Sequence, residues 1–199
     1  FAVVVLLNKV DEYPGNASED ARRLGAQVTP LLNTEKADRA DVMIPDALSD
    51  FALPFLEGVV LANYKYNAFK SKPEENTLAA LYVKSELTEV DLEELTNVCE
   101  AVYMARNLVN EPVITLNAEA FSKAMQEGGK RSGYSVKVLG KAEIEAEKMG
   151  GLLGVNRGSD DPPTFNVLEY KPADAINEQP LVLVGKGVVY DTGGNNLKP

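Results

Sequence analysis

Hydrophobic positions along this chain keep two periods, and the alternation between them predicts a succession of strands and helices. Val3 to Leu7 is a short β-branched and apolar run of strand length. Asp11 to Gly15 carries turn chemistry, with Pro14 beside Gly15. Asp41 to Ile44 predicts a second short strand. Ser49 is placed to cap a helix running to about Tyr64, with Pro54 in its first turns. Lys70-Ser-Lys-Pro73 opens a polar loop through Asn76, and Leu78 to Val83 follows as a strand. Thr88 opens the most regular helix, running to about Leu108. Its side chain can cap the first turn, and Asp91 three residues on makes a variant of the capping box. Leu92, Leu95, Val98, Cys99, Val102 and Val109 hold one helical stripe, and Pro112 prevents continuation. Asn117 then caps a helix to about Lys130, with Gly133 behind it. Ser135 to Leu139 reads as a strand and Lys141 to Met149 as a short helix. Leu152 to Val155, Phe165 to Tyr170 and Leu181 to Val184 read as further strands.

Strands interleaved with helices predict an α/β fold. The pattern divides into a small α/β amino-terminal domain over 1–87, a connecting helix over 88–108, and the first part of an α/β/α domain with a mixed sheet over 109–199. A chain that opens inside an apolar run and closes on Gly-Gly-Asn-Asn-Leu-Lys-Pro199 reads as a piece of a longer protein.

Composition narrows the chemistry. Hydrophobic residues make up 45% of 199, enough for a core. The net charge of −10, from 30 acids against 20 bases, speaks against nonspecific binding to nucleic acid or an anionic membrane. No apolar run approaches the ~20 residues of a membrane span. The single cysteine, Cys99, forbids an intrachain disulfide and fits a reducing compartment, so the expected location is the cytoplasm. Cys99 lies on the apolar stripe of its helix and reads as a small buried hydrophobe. The chain has no histidine, which removes Ser-His-Asp and Cys-His catalysis and histidine-held zinc. Any metal held by this chain alone must take oxygen ligands or the unusual amine of a lysine.

One segment concentrates polar groups behind an apolar run. Leu181-Val-Leu-Val184 delivers Lys186 between Gly185 and Gly187. Asp191 follows, then Gly193 and Gly194, and Lys198 stands seven residues after Asp191. In open α/β sheets, sites lie beyond the carboxyl ends of strands, and glycines let backbone approach a ligand. A phosphate-binding loop fails on detail, since Lys186 is followed by glycine and the upstream glycine is missing. Gly150-Gly-Leu-Leu-Gly154 likewise lacks the dinucleotide fingerprint. Two readings remain from the residues alone: a lysine and an aspartate in a surface turn, or a metal and substrate site.

Gly185-Lys-Gly-Val-Val-Tyr-Asp-Thr-Gly-Gly194, followed by Leu197-Lys-Pro199, closely resembles the metal-binding stretch of the leucyl aminopeptidase (cytosol aminopeptidase) family, whose usual form is Gly-Lys-Gly-x-Thr-Phe-Asp-Ser-Gly-Gly and then Leu-Lys-Pro. Other stretches match in order. Glu57-Gly58, Leu61, Tyr64 and Lys70-Ser-Lys-Pro73 resemble the end of the family's amino-terminal domain. Ala105-Arg-Asn-Leu-Val-Asn-Glu-Pro112 resembles the entry to its catalytic domain. Met149-Gly-Gly-Leu-Leu-Gly-Val-Asn-Arg-Gly-Ser159, with Pro162 and Pro163, resembles a further stretch. The resemblance covers roughly residues 50 to 199. Val189 and Tyr190 depart mildly from the usual Thr-Phe, and Asn195 and Asn196 are less usual. The family's Asn-Thr-Asp-Ala-Glu-Gly-Arg segment would lie beyond Pro199, and with it two further aspartates, a glutamate and an arginine.

The resemblance implies a metal-dependent aminopeptidase that removes amino-terminal leucine and similar residues from peptides. It implies two divalent ions, Zn2+ or Mn2+, with Asp191 a carboxylate shared by both and Lys186 a ligand through its neutral amine, a form that a nearby dication favours. It gives Lys198 the catalytic role of stabilising the substrate oxyanion. It also implies a homo-hexamer for the full-length protein and an inactive 199-residue piece. The rival reading is a noncatalytic α/β ligand- or partner-binding module.

Overall fold

The computed structural model describes residues 2–5 and 14–189. The chain divides into two units, Phe1–Asn110 and Glu111–Pro199, and each sheet lies within one of them.

The first unit runs α1 (Pro14–Thr34), β1 (Arg39–Met43), a 3-10 helix (Asp46–Phe51), α2 (Ala52–Ala62), β2 (Ala80–Lys84) and α3 (Glu89–Asn110). The strands pair in parallel, from Arg39 opposite Ala80 to Met43 opposite Lys84. Leu32, Val59 and Leu78 form the buried core, with Val28, Ala37, Ala40, Phe55 and Leu81 packed around them.

Helix α1 corrects the turn expected at Asp11–Gly15 in its described part. Pro14 stands in its first turn, where a missing N–H leaves no bond unmade and the fixed φ already suits a helix. The buried face of α1 runs through Ala17, Ala21, Thr29 and Leu32. Most of these side chains are small or polar. Their smallness is what lets α2 come close. A Cβ added at Gly25 would sit 2.1 Å from the Phe55 carbonyl oxygen, and one at Gly58 would sit 1.9 Å from that of Arg22. The helices therefore meet backbone to backbone. Thr29 Oγ1 donates across the joint to the Val59 carbonyl at 2.9 Å, and Arg22 pairs with Glu57 at 2.9 Å.

A polar knot fixes the approach to β2. Asn33 Oδ1 accepts from the backbone N–H groups of Thr77 (2.7 Å) and Leu78 (3.1 Å), while its Nδ2 donates to Thr29 O and Asn63 Oδ1, both at 3.0 Å. Asn63 Nδ2 donates to Leu78 O, and Asn76 Nδ2 to Asn63 O, each at 2.8 Å.

Ser49 does not cap a helix. It lies inside the 3-10 turn that follows Pro45, and the α-helix starts after Phe51 because Leu48 N–H bonds back to Pro45 O and Ala52 N–H to Ser49 O. Pro54 falls in the first turn of α2, where it is tolerated. Residues 2–5 are irregular and pair with no strand, so the described part of the expected Val3–Leu7 strand is not formed; residues 6 and 7 lie outside the described residues. Helix α3 begins as its cap predicts. Thr88 Oγ1 accepts from Asp91 N–H at 3.2 Å, and the Asp91 carboxylate accepts from Thr88 N–H at 2.8 Å and from its hydroxyl at 2.7 Å. These bonds hold the Asp91 carboxyl below the usual aspartate range.

The second unit runs α4 (Ala118–Ser132), β3 (Ser135–Leu139), α5 (Lys141–Ala146), α6 (Gly150–Asn156) and β4 (Phe165–Glu169). Asn117 Oδ1 accepts from Ala120 N–H at 2.9 Å, and Gly133 ends the helix at φ 77°, a left-handed value suited to glycine. β3 and β4 pair antiparallel, from Ser135 opposite Glu169 to Leu139 opposite Phe165. The helix expected over Lys141–Met149 stops at Ala146, because Lys148 adopts φ 56° and Met149 N–H closes on Ile144 O. Leu152–Val155 is helical within α6, not a strand; so short an apolar run fits either period. Leu181–Val184 is irregular and pairs with no strand among the described residues; its side chains are 71% to 95% exposed.

Candidate functional site

The segment singled out by its lysines and glycines leaves β4 through the turn region after Tyr170 and reaches Gly185-Lys186-Gly187 as exposed, irregular chain. It comes close to α4 at Gly187. A Cβ added there would lie 3.1 Å from Phe121 Cε1 and 3.7 Å from Cδ1, whereas one at Gly185 would meet nothing within 4 Å. Gly187 thus passes close to the edge of the Phe121 ring, and Phe121 lies in the capped first turn of α4, its N–H bonding Asn117 O at 2.9 Å. Ser122 Oγ, next along α4, bonds Thr164 Oγ1 at 2.9 Å and ties the helix to the entry of β4. Lys186 stands one residue before the contact. Asp191 and Lys198 lie outside the described residues, so the structure places one of the three sequence candidates and shows no juxtaposition of the three. Among the described residues no group of three His, Cys, Asp or Glu side chains could hold a metal. A lone amine makes no metal centre.

The other family-like stretches carry visible structural work. At the carboxyl end of α2 the last carbonyls lack helical partners. Tyr103 Oη donates to Val60 O, and Arg106 Nη1 donates to Leu61 O at 2.6 Å. The Arg106 guanidinium also lies over the Tyr64 ring, 5.4 Å from its centroid, and Tyr64 packs on Tyr103 with centroids 5.1 Å apart. Tyr64 Oη donates to Asn107 Oδ1 at 2.7 Å and accepts from Asn110 Nδ2 at 3.1 Å. Burial pushes the Tyr103 phenol above its ordinary value; nearby Cys99 adds to the shift and Arg106 opposes it. Burial, then the Glu57 carboxylate, also pushes the Cys99 thiol up, which keeps it protonated and inert. In the third stretch Asn156 Nδ2 donates to Asp161 O at 2.9 Å, closing the loop after α6.

The sequence pattern did not single out Phe121 or Tyr103. Phe121 could have been found four residues after the Asn117 cap, on the inner face of the helix it opens. Tyr103 falls one residue from the stripe position Val102 and gives no separate signal. A cleft of about 430 Å3 lies at the carboxyl ends of β1 and β2, lined by Met43, Ile44, Pro45, Asp46, Lys84, Ser85 and Glu86, none of them a sequence candidate.

The fold is that of the leucine aminopeptidases. A tomato leucine aminopeptidase mutant superposes with a TM-score of 0.70 at 23% identity, over 79% of this chain and 34% of that one. The bottromycin maturation enzyme BotP in complex with Mn gives 0.69 at 27% identity, with the same shares. Residues 103–199 match the model for the catalytic domain of the cytosol aminopeptidase family. A probable cytosol aminopeptidase of Chlorobium limicola is 43% identical over 161 residues, 73% of this chain and 31% of its own length. One from Wolbachia pipientis wMel is 30% identical over 204 residues, covering 99% of this chain and 39% of itself. The chain belongs to the cytosol aminopeptidase family, and it spans between 31% and 39% of the length of these two relatives.

Proposed function

We propose that this chain is part of a metal-dependent aminopeptidase, in which Lys186 and Asp191 bind divalent metal and Lys198 meets the scissile carbonyl. The observation that carries the reading is the ordered run from Gly185 to Pro199 inside the stretch matched to the family's catalytic domain. The donor set of amine and carboxylate, without histidine, suits Mn2+ or Zn2+, and BotP, of similar fold, is described in complex with Mn. Bound divalent metal would supply carbonyl polarisation and an activated water. Lys186 would contribute its neutral amine, Asp191 its carboxylate, and Lys198 an ammonium donor toward the oxygen that gains charge as the carbonyl becomes tetrahedral. Substrates would be peptides with a free amino terminus, leucine and similar residues first. The protein would work in the cytoplasm as a homo-hexamer, without nucleic acid or membrane; among the described residues no helix is long and apolar enough to cross one.

The test is release of leucine from an amino-terminal leucyl substrate by the full-length protein with Mn2+ or Zn2+. Asp191→Ala should abolish metal-dependent turnover. Lys198→Ala should lower kcat by roughly 10²–10³, as for a lost oxyanion donor. The 199-residue chain alone should be inactive. No activity with either metal in the full-length protein would overturn the reading.

A further inference from the structure

The contact between Gly187 and Phe121 reaches beyond the ligand set. Of the two glycines flanking Lys186, Gly185 has open space where a side chain would go, and Gly187 does not. The obstacle is the edge of an aromatic ring on α4, at a distance where a real Cβ would force the ring to move by a few tenths of an ångström. The ring belongs to Phe121, which is half-buried. Its backbone lies in the first turn of a capped helix, and the next residue, Ser122, is buried and bonded both to Ala118 O and to Thr164 Oγ1. The lysine-bearing loop, irregular and in no sheet among the described residues, comes close to α4 at this point.

We propose that Phe121 is a positioning residue: its ring is the platform on which Gly187 rests, and the pair sets where the Lys186 amine stands. The inference rests on the proposed role of Lys186 and deepens it. Phe121 touches no substrate and donates nothing. It acts by volume, as the groups behind metal ligands act by hydrogen bonds, and loss of such support costs metal affinity about 10–100-fold. Gly187 matters for the complementary reason, since a side chain there would crowd the edge of the ring.

The experiment is a double-mutant cycle in the full-length protein, with Phe121→Ala, Gly187→Ala and both together. Phe121→Leu is carried alongside, to keep apolar volume should the alanine variant fail to fold. Mn2+ affinity of the metal-free protein is read by calorimetry, and kcat and KM on a leucyl substrate are read separately. Each single change should weaken Mn2+ binding about 10-fold or more and lower kcat with KM little altered. Adding Gly187→Ala to the Phe121→Ala protein should cost much less than it does alone, because the ring it collides with is gone. Effects that simply multiply, or Mn2+ affinity untouched by either change, would overturn the proposal. Hydrogen exchange of the amides at 185–188 without metal gives a readout independent of catalysis. Faster exchange in Phe121→Ala or Gly187→Ala, with Phe121→Leu close to the parent, supports the platform even in a protein that cleaves no peptide, and unchanged exchange in both alanine variants refutes it.

Discussion

Glu57 and Gly58 belong to a stretch that resembles an aminopeptidase, yet both have structural work. Glu57 receives Arg22, and Gly58 leaves room for the Arg22 carbonyl. The contrast with Gly151 gives a direct measurement. Alanine at 58 would put a methyl group 1.9 Å from a backbone oxygen, which no rotamer change relieves. Gly58→Ala should destabilise the chain by about 2–3 kcal/mol, the cost of forcing atoms into a packed joint. Gly151 lies exposed within α6 with nothing near its missing side chain. Gly151→Ala should stabilise by about 0.5–1 kcal/mol, through helix propensity and a less free unfolded chain. Urea titrations of the two variants beside the parent chain check both signs; equal effects would mean that space at these glycines does not govern stability. At this scale the sequence was legible where a side chain announces its partner, as Asn117 and Asp91 do. It was silent at Gly58, because a glycine does not say what presses against it.

Among elements, the caps and stops were the readable part. Thr88 with Asp91 opens α3, Asn117 and Gly133 bracket α4, and β3 holds the bounds its alternation predicts. Helix α1 escaped notice because Pro14 beside Gly15 reads as a turn, although Pro14 is its first residue; its buried face joins Leu32 to alanine, glycine and threonine, whose burial serves close approach. Leu152–Val155 failed for the opposite reason: four apolar residues are compatible with either period until their neighbours decide. The end of α2 depends on α3, and this can be tested through Tyr103. Tyr103→Phe removes the hydroxyl that donates to Val60 O, which keeps its bond from Asn63 N–H, and should cost about 1 kcal/mol. The phenol's folded value is raised, chiefly by burial. Its contribution is therefore fully present below about pH 10, the ordinary tyrosine value, and is lost as pH rises through the higher folded value. Thermal melts of parent and Tyr103→Phe between neutral and alkaline pH should converge at the alkaline end. A gap that stays constant would sever the link to ionisation.

At the scale of the whole molecule, the described residues form two sheets of two strands each, whose outer edges pair with no further strand among those residues. Leu181–Val184 presents an apolar run to solvent in the same chain. Edges and runs of this kind recruit one another. Light scattering on the 199-residue chain should show oligomers or progressive association at micromolar concentration, and a clean, lasting monomer would count against that expectation. The candidate site was legible as residues and not as a site: Lys186, Asp191 and Lys198 stand out in the sequence, but their grouping depends on chain paths that spacing alone does not determine.

The crossing of α1 and α2 carries a consequence for the history of this sequence. Gly25 and Gly58 each accommodate the other helix's main chain, so they act as one constraint written at two distant positions. A lineage that acquires a side chain at one must part the helices, and the other position then no longer needs to be bare. Across related chains, the two positions are expected to change together or to stay glycine together.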